Sequence, residues 1–390
     1  MCSDTAGRQG DKDIRQADRH SRRAAWILGL CLPADVVLYL LLPLHAAEFG
    51  VTLAQAGMLL AANRLVRIVG YGFIARFYAR RGDRAICLAA ACGSVVCAMG
   101  YAVFEGFWWL VGLRLVWGLC FAGLNLSTQA LATQVVAGAA RRAGRSRAWI
   151  ALAPMTALPL AALFAAVGAM SAFFFILAAL AALAIPLAWQ LPAHRGTAPV
   201  RKRRIALPDR LDIWCFVEGL VLDGLFIVGL AILGARAMPD GDPVLIAGCL
   251  MALRYAGEIL LSPLGGQLAQ RFGAERMLVM LSLLTGLVLL AYGAGWIWSA
   301  GLAIILLRAM QLPLVAPVVA QRYPGAARVH ALAARAVWRD IGAGMGPILA
   351  GLLLPVTPAL LLYGVAGLLL AVSAWATRQG HLAADASSQA

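Results

Sequence analysis

The chain has 390 residues, of which 62% are hydrophobic, and it carries a formal net charge of +15. Water-soluble domains are only about 45–50% apolar, so this composition excludes an ordinary soluble protein and indicates a chain that lies in a lipid bilayer. Apolar runs of roughly 20 residues recur, the length of a helix that crosses a ~30 Å hydrocarbon core. A transmembrane β-barrel would instead need alternating apolar and polar residues.

The apolar runs predict twelve helical spans in chain order, six on each side of a polar stretch. The first 23 residues are polar and basic, without a short apolar core, so we expect the first span to be a retained anchor and not a cleaved signal. The predicted spans are 25–44, 51–74, 85–103, 107–131, 148–168, 171–190, 212–235, 244–269, 277–294, 297–320, 337–356 and 358–377.

The polar stretch at residues 192–211 holds six basic residues and one acid. It predicts a linker between two membrane-embedded halves. The fold class we predict is all-α integral membrane, with twelve transmembrane helices in two pseudo-symmetric six-helix bundles, residues 24–191 and 212–377. Residues 1–23 and 378–390 are the predicted tails.

The predicted loops alternate in charge. Arginines gather in the two tails, the linker and every second loop, whereas the loops between them have no Arg or Lys apart from Arg236, beside Asp240 and Asp242. Because Arg and Lys are retained on the cytoplasmic side, this alternation predicts that both tails are cytoplasmic. It also accounts for the net charge without nucleic-acid binding.

The two halves repeat at a shift near 190 residues. The corresponding pairs of charged residues are Asp35 and Asp223, Arg64 and Arg254, and Arg114 and Arg308. A parallel repeat of two six-helix halves predicts a transporter whose halves rock about a central site.

Several motifs resemble those of the major facilitator superfamily, and the resemblance extends over nearly the whole chain. Residues 266–273 (GQLAQRFG) resemble the family's loop signature after span 8, with Gln270 in place of its Asp, and residues 75–84 are a weaker copy, with Ala79 in that place. Arg114 to Gly118 resembles an Arg-x-x-x-Gly motif of proton-coupled members. Residues 342–347 in span 11 resemble the antiporter glycine–proline motif, which normally marks span 5. The resemblance implies gating or structural roles for Gly82, Gly118, Gly266, Arg271, Gly273, Gly346 and Pro347.

Charged residues deep inside the predicted spans are the candidate site. A charge at the bilayer centre costs roughly 2.5–3.5 kcal/mol on insertion scales, so these residues should face a cavity or one another. The candidates for proton coupling are Asp35, Asp223, Glu258 and Glu218. Asp35 is the first choice, because a partly desolvated carboxyl group can load and release a proton near neutral pH. The alternative for Asp35 is a purely structural ion pair with an arginine.

Arginines and deep polar residues are the candidates for substrate binding. Arg254 and Glu258 lie at positions i and i+4 and can pair, whereas Arg64 and Arg67 need Asp35 or an anionic substrate nearby. Five arginines against four acids leave a positive excess, which hints at a carboxylate, phosphate or hydroxamate-like group on the substrate. The substrate candidates are Arg64, Arg67, Arg114, Arg254, Arg308, Tyr39, Asn125, Tyr255 and Gln311.

These features predict a secondary active transporter of the bacterial inner membrane. We expect proton-coupled efflux of a drug, metabolite or siderophore by alternating access. The alternative is proton-coupled uptake of a small solute such as an anion. A membrane-embedded transferase is the hypothesis from another class, but the five histidines are scattered and no HxxxxD, DDxxD or Walker motif occurs.

The remaining predictions concern what accompanies the chain. We expect no enzyme activity and no cofactor. We also expect no metal site, because the eight cysteines sit singly without a CxxC motif. The expected partners are a small-molecule substrate, protons and the lipid bilayer, with no nucleic acid, and the chain is expected to be a monomer.

Overall fold

The structure, a computed structural model, describes residues 2–193, 208–237, 243–325 and 327–388. Most of the predicted linker, residues 194–207, lies outside them, as do residues 238–242 of the loop that follows Arg236. The division of the chain into bundles at residues 192–211 therefore stays a prediction.

The first half is built from seven helices. In lipid every backbone polar group needs a partner within the protein, and a helix satisfies its own, so the apolar runs fold as helices. These are α1 (Cys2–Cys31), α2 (Pro33–Leu44), α3 (Leu53–Val103), α4 (Phe107–Ala132), α5 (Ala139–Ala166), α6 (Met170–Ala182) and α7 (Ala184–Trp189).

The described residues of the second half also form helices joined by short turns. A π-helical segment, Gly219–Leu225, lies between the first two of its α-helices. The helices are α8 (Arg210–Glu218), α9 (Phe226–Ala237), α10 (Pro243–Phe272), α11 (Ala274–Gly293), α12 (Ile297–Gln311), α13 (Val315–Arg322), α14 (Ala327–Leu353) and α15 (Ala359–Ser388).

Within the described ranges, nine segments are long and apolar enough to cross a membrane, by length and composition. One of them, Leu53–Val103, contains two predicted spans, because α3 consists of two helices that meet at a kink within the predicted loop. Its backbone leaves helical geometry at Gly82, where φ is +75°, and Gly273 at the corresponding loop of the second half has φ +95°. Residues other than glycine rarely adopt such angles. The number of twelve crossings stays a prediction.

Proline interrupts two of the predicted spans. The first divides into α1 and α2 at Leu32 and Pro33, and the tenth divides into α12 and α13 around Pro313. Proline has no backbone N–H and cannot continue the helical ladder. The free carbonyl groups that result are tolerable in a membrane only where other helices or a cavity satisfy them.

The packed interior consists of two groups of buried apolar side chains. One group lies in the first half, and among the described residues Tyr255 is the single buried residue of the second half that belongs to it. The other fills the second half and continues into residues of α3, α4 and α5, among them Tyr71, Leu126 and Ala140. Tyr71 lies on the side of the arginine-rich kink of α3, and Leu126 and Ala140 lie on either side of the connection between α4 and the arginine-rich start of α5. We call the end of the molecule that holds these arginine-rich segments the basic face.

Candidate functional site

Asp35 and Arg114 form an ion pair between α2 and α4. Arg114 has no exposed surface and Asp35 is 7% exposed. Asn63 of α3 donates a long hydrogen bond of 3.4 Å to Asp35 Oδ1, and Arg114 Nε donates to the Leu59 carbonyl at 3.2 Å. The guanidinium group of Arg114 also lies over the Tyr39 ring, at 5.0 Å from its centroid. One acid therefore connects three helices of the first half.

The corresponding residues of the second half form a larger cluster. Asp223 pairs with Arg308 of α12, as Asp35 pairs with Arg114. Arg339 of α14 bridges two acids, at 3.0 Å from Glu218 Oε2 and 2.9 Å from Asp223 Oδ2. Arg308 Nε lies 4.0 Å from Glu218 Oε1. Two acids and two arginines thus neutralise one another between α8, α12 and α14.

Both repeat-related aspartates lie where the helix is irregular. Asp35 is in the first turn of α2, directly after the break at Pro33, and Asp223 is in the π-helical segment. π-Helical turns occur often at functional sites. A carboxyl group on such a segment can move with a local change in helical winding, which makes these two acids suited to a conformational role.

A third ion pair lies on α10. Arg254 Nε is 3.4 Å from Glu258 Oε1, so the pairing predicted from the i and i+4 spacing is present. The guanidinium group of Arg254 lies 5.9 Å from the ring centroid of Tyr255. Glu258 is 5% exposed, whereas the Arg254 side chain is 38% exposed, so the arginine is the accessible member of the pair.

Two arginines of α3 join the two halves. Arg67 is 2.9 Å from Asp340 of α14, and Arg64 donates to the Ala343 carbonyl at 2.6 Å. The sequence predicted Asp35 or an anionic substrate near Arg67 and did not predict Asp340. In the structure Arg67 forms an ion pair with this acid of the other half, and Asp35 lies within electrostatic range. At a second contact between the halves, α5 and α10 touch at glycines, and a Cβ added to Gly266 would lie 3.1 Å from the Cα of Gly144.

Helices α3 and α14 meet only along part of their length. Gly57 lies two turns before Arg64 on the same face of α3, and Gly351 lies three turns after Asp340 on the same face of α14. A Cβ at either glycine would meet no described atom within 4 Å. The two helices therefore touch toward the basic face and separate toward the other face.

The other predicted residues are distributed more widely. Asn125 donates to the Tyr71 hydroxyl at 3.3 Å, and Gln311 donates to Ser282 at 2.9 Å inside the second half. Arg271 is exposed. Two glycines with predicted structural roles pack closely: Gly118 against Asn63 and Val66, and Gly346 against Gly224 beside Pro347.

The sequence did not single out Arg147, Arg339 or Asp340. Each lies at the edge of a predicted span, where a charge is usually explained by the membrane surface. A signal was present, because Arg147 and Arg339 are separated by 192 residues, close to the repeat shift of 190. In the structure, Arg339 forms ion pairs with two acids, whereas Arg147 has no hydrogen bond or ion pair among the described residues.

Comparison with known proteins agrees with this architecture. Residues 24–238, more than half of the chain, match the family model described as Major Facilitator Superfamily. A solved structure described as the human organic anion transporter MFSD10 (TETRAN) is similar, with a TM-score of 0.69 and 17% identity over 91% of this chain and 99% of that one. A comparison with curated protein sequences found no match.

These matches confirm the resemblance predicted from the motifs and the all-helical membrane fold. The chain belongs to the Major Facilitator Superfamily and is a multi-pass membrane protein that acts as a secondary transporter.

Proposed function

We propose that the protein couples protons to the transport of a small organic molecule with an anionic group, by alternating access between its two halves. The balance among the charged residues that lie deep in the spans and at the interface between the halves, which we call the central charges, carries this proposal. In the described part of the chain, the central charges are Asp35, Glu218, Asp223, Glu258 and Asp340 against Arg64, Arg67, Arg114, Arg147, Arg254, Arg308 and Arg339.

Each of the five acids has an arginine partner, which leaves an excess of two positive charges. Arg64 has a carbonyl oxygen as its partner, and Arg147 has neither a hydrogen bond nor an ion pair among the described residues. Arg147 is within electrostatic range of Glu258 and Glu218 but also of Arg339 and Arg254. An unpaired charge in a membrane interior is costly, so an anionic substrate would stabilise this arrangement.

Proton coupling follows from the pairing of Asp35 with Arg114. A proton on Asp35 would remove its negative charge and release Arg114 for another anion. Proton binding and anion binding then favour each other, and this coupling is reciprocal. The same reasoning applies to Asp223 with Arg308 and to Glu258 with Arg254, of which Arg254 is the most accessible arginine.

Alternating access is supported by the interface between the halves. The Arg67–Asp340 pair and the α5–α10 contact lie toward the basic face, and α3 and α14 separate toward the other face. That arrangement has the form of a state closed at one end and open at the other. Rocking of the halves would break the first set of contacts and close the gap between Gly57 and Gly351.

Cooperative binding of a proton and an anion favours symport, so uptake along an inward proton gradient is the direction that the ion pairs support best. The similar human protein is described as an organic anion transporter, so this fold accommodates such substrates. Efflux in exchange for protons is the second candidate. The observation that favours it is the tight packing of the glycine–proline segment of α14, at Gly346, against Gly224.

The location we propose is the bacterial inner membrane, with both tails cytoplasmic, and we expect a monomer. The arginine-rich loops of the basic face support this orientation, because such loops remain on the cytoplasmic side.

The test is transport by purified protein in proteoliposomes under an imposed pH gradient. Radiolabelled monocarboxylates, dicarboxylates and organic phosphates would be compared with their neutral amides, while an internal dye reports proton movement. Wild-type protein should move at least one anion class together with protons and should not move the amides. Arg147→Gln should abolish anion transport, and Arg276→Gln, an exposed arginine on the basic face, should leave it unchanged.

Three parts of the proposal can be contradicted separately: recognition of the substrate by its charge, the role of Asp35 and the direction of transport. Transport of amides as fast as that of anions, or full anion transport by Arg147→Gln, would show that the substrate is not recognised by its charge. Gradient-driven transport by Asp35→Asn would show that Asp35 does not carry the coupled proton. Proton movement opposite to that of the substrate would replace uptake with efflux.

A further inference from the structure

A cavity of about 360 Å³ opens on the basic face, outside the central charges. It lies between α1, α5 and α10. Among its lining residues are four arginines, Arg19, Arg22, Arg142 and Arg145, with Pro263 from the second half. The transport site proposed above uses none of these residues.

One of the four arginines is engaged within the protein. Arg142 is 3% exposed, donates to the Ala132 carbonyl at 2.8 Å and lies 3.4 Å from Asp18. Asp18 is the acid that lines this cavity, and its second contact is Arg141 at 3.8 Å. Arg142 and Asp18 therefore hold α1 against α5 and form one wall.

The other three arginines are available to a ligand. Arg19, Arg22 and Arg145 are exposed, and in the described part of the chain none of them has a carboxylate within ion-pair distance. Three guanidinium groups around one cavity repel one another unless an anion lies between them. Guanidinium groups bind phosphate through paired N–H donors, so the arrangement fits a phosphate group.

The surroundings of the cavity point to a lipid as the source of that phosphate. Trp149 lines its inner wall and packs on Trp26, with ring centroids 5.2 Å apart. Tryptophans concentrate at the level of lipid headgroups. On α10, Leu260 and Leu264 beside Pro263 are 72% and 43% exposed, and they provide an apolar surface that an acyl chain could cover.

We propose that this cavity binds the headgroup of an anionic phospholipid, with its phosphate on Arg19, Arg22 and Arg145 and an acyl chain along Leu260 and Leu264. The site lies at the level where an inner-leaflet headgroup would sit, since the basic face is predicted to be cytoplasmic. Basic pockets between transmembrane helices on that side are suited to anionic headgroups. This inference does not depend on the nature of the transported substrate.

The experiment is lipid binding to the purified full-length protein in detergent, followed by native mass spectrometry and by thermal unfolding. The probes are dioleoylphosphatidylglycerol, dioleoylphosphatidylcholine and inorganic phosphate. Wild-type protein should retain phosphatidylglycerol and unfold at a higher temperature in its presence, and phosphatidylcholine should have neither effect. The variant R22Q/R145Q should bind phosphatidylglycerol about thirtyfold more weakly, because each basic residue near an anionic lipid surface contributes roughly a factor of five.

A matched variant, R80Q/R81Q, removes two exposed arginines from the same face, outside the cavity, and should bind phosphatidylglycerol as the wild type does. Should R22Q/R145Q fail to fold, the single variants Arg19→Gln and Arg145→Gln serve instead, each with about fivefold weaker binding expected. Unchanged binding by the cavity variants, or equal loss in R80Q/R81Q, would overturn the proposal. If inorganic phosphate raised the unfolding temperature as much as phosphatidylglycerol does, the cavity would be a site for free anions. If phosphatidylcholine were retained as well as phosphatidylglycerol, the cavity would not select lipids by charge. Either result would overturn the assignment to anionic lipid.

Discussion

Asp35 and Arg114 are paired in the interior of the first half, and the repeat places Asp223 and Arg308 in the same relationship in the second. The two pairs differ in their surroundings. The carboxylate of Asp35 contacts one arginine and one asparagine. The carboxylate of Asp223 contacts two arginines, and both of these also lie within ion-pair distance of Glu218. Asp35 is therefore the simpler candidate for the proposed coupled proton, whereas the second half holds a neutralised cluster that is harder to change by a single proton.

The Asp35–Arg114 pair should show strong energetic coupling. Removing one member of a buried pair costs about 3–5 kcal/mol, because the remaining charge stays buried without a partner. We expect Asp35→Asn and Arg114→Gln each to destabilise the protein by that order, and the double variant to be more stable than the sum of the two losses predicts. Unfolding by denaturant in detergent micelles measures all four proteins. Additive losses would show that the two residues do not interact.

The Arg67–Asp340 pair should hold the basic face closed. Asp340→Asn weakens a charge-assisted contact worth roughly 1.5–3 kcal/mol, so the population with separated halves should rise at least about tenfold. Distances between spin labels at Arg80→Cys and Arg276→Cys, one exposed position in each half, would report the change, with the exposed Cys92 replaced by serine.

The control for this prediction is Glu275→Gln. Glu275 pairs with Arg322 at the same distance of 2.9 Å, but within one half. The variant Glu275→Gln should leave the distribution of distances between the spin labels unchanged. If Glu275→Gln also lengthened the distance between the spin labels, or if Asp340→Asn left that distance unchanged, contacts other than the Arg67–Asp340 pair would be the ones that hold the basic face closed.

The contact between α5 and α10 should tolerate no side chain at Gly266. A Cβ there would approach Gly144 and the carbonyl of Ala140 more closely than packing allows. Gly266→Val should therefore leave membrane insertion intact but keep the basic face from closing and abolish transport in proteoliposomes. Gly112→Val is the control, because a Cβ at Gly112 meets nothing within 4 Å. Normal transport by Gly266→Val would show that this contact is not needed in the cycle.

The stability of the protein should depend on Asp209 in acid. Asp209 precedes α8, caps it through the Asp212 amide, and accepts a hydrogen bond from the Tyr323 hydroxyl at 2.6 Å. Burial alone would raise the pKa of Asp209, but the Tyr323 hydroxyl and the charge of Arg335 lower it below its ordinary value. A carboxyl group with a lowered pKa in the folded state stabilises that state above its unfolded pKa, and this contribution is lost as pH falls through the folded value.

Asp209→Asn keeps a residue that caps a helix well but removes the charge. Its unfolding temperature should be below that of the wild type at neutral pH. The difference should begin to shrink near about pH 4, the ordinary aspartate pKa, and should disappear only as pH falls through the lower pKa of the folded state. Asp13→Asn, a change at an exposed residue of α1, should show no such difference. A gap between Asp209→Asn and the wild type that persists into acid would mean that the charge of Asp209 does not stabilise the fold.

The sequence predicted much of the fold, because the bilayer imposes it locally. Apolar runs of one length must form helices, whichever neighbours they have, and glycine was required where the backbone leaves helical geometry at Gly82 and Gly273. The pairing of Arg254 with Glu258 was also predictable, since both lie on one face of one helix. The repeat located Asp35 and Asp223 as equivalent acids before their partners were known.

Helix ends were less predictable than helices. The sequence predicted a single first span, whereas that span divides at Pro33. It also predicted a loop after span 2, where two helices meet directly at a kink at Gly82. Whether a proline or glycine bends, breaks or only distorts a helix depends on which neighbouring groups satisfy the freed carbonyls. The π-helical segment around Asp223 had no signal in the sequence for the same reason.

By itself the sequence determined that the chain lies in lipid, that it is helical, that its halves repeat and that charged residues occur deep inside its spans. Each of these follows from local composition and spacing. Only the tertiary structure decided that Arg67 pairs with Asp340, that Arg339 bridges two acids and that Arg147 has neither a hydrogen bond nor an ion pair among the described residues. Which charges meet across an interface depends on how distant helices pack, and no spacing along one helix encodes that packing.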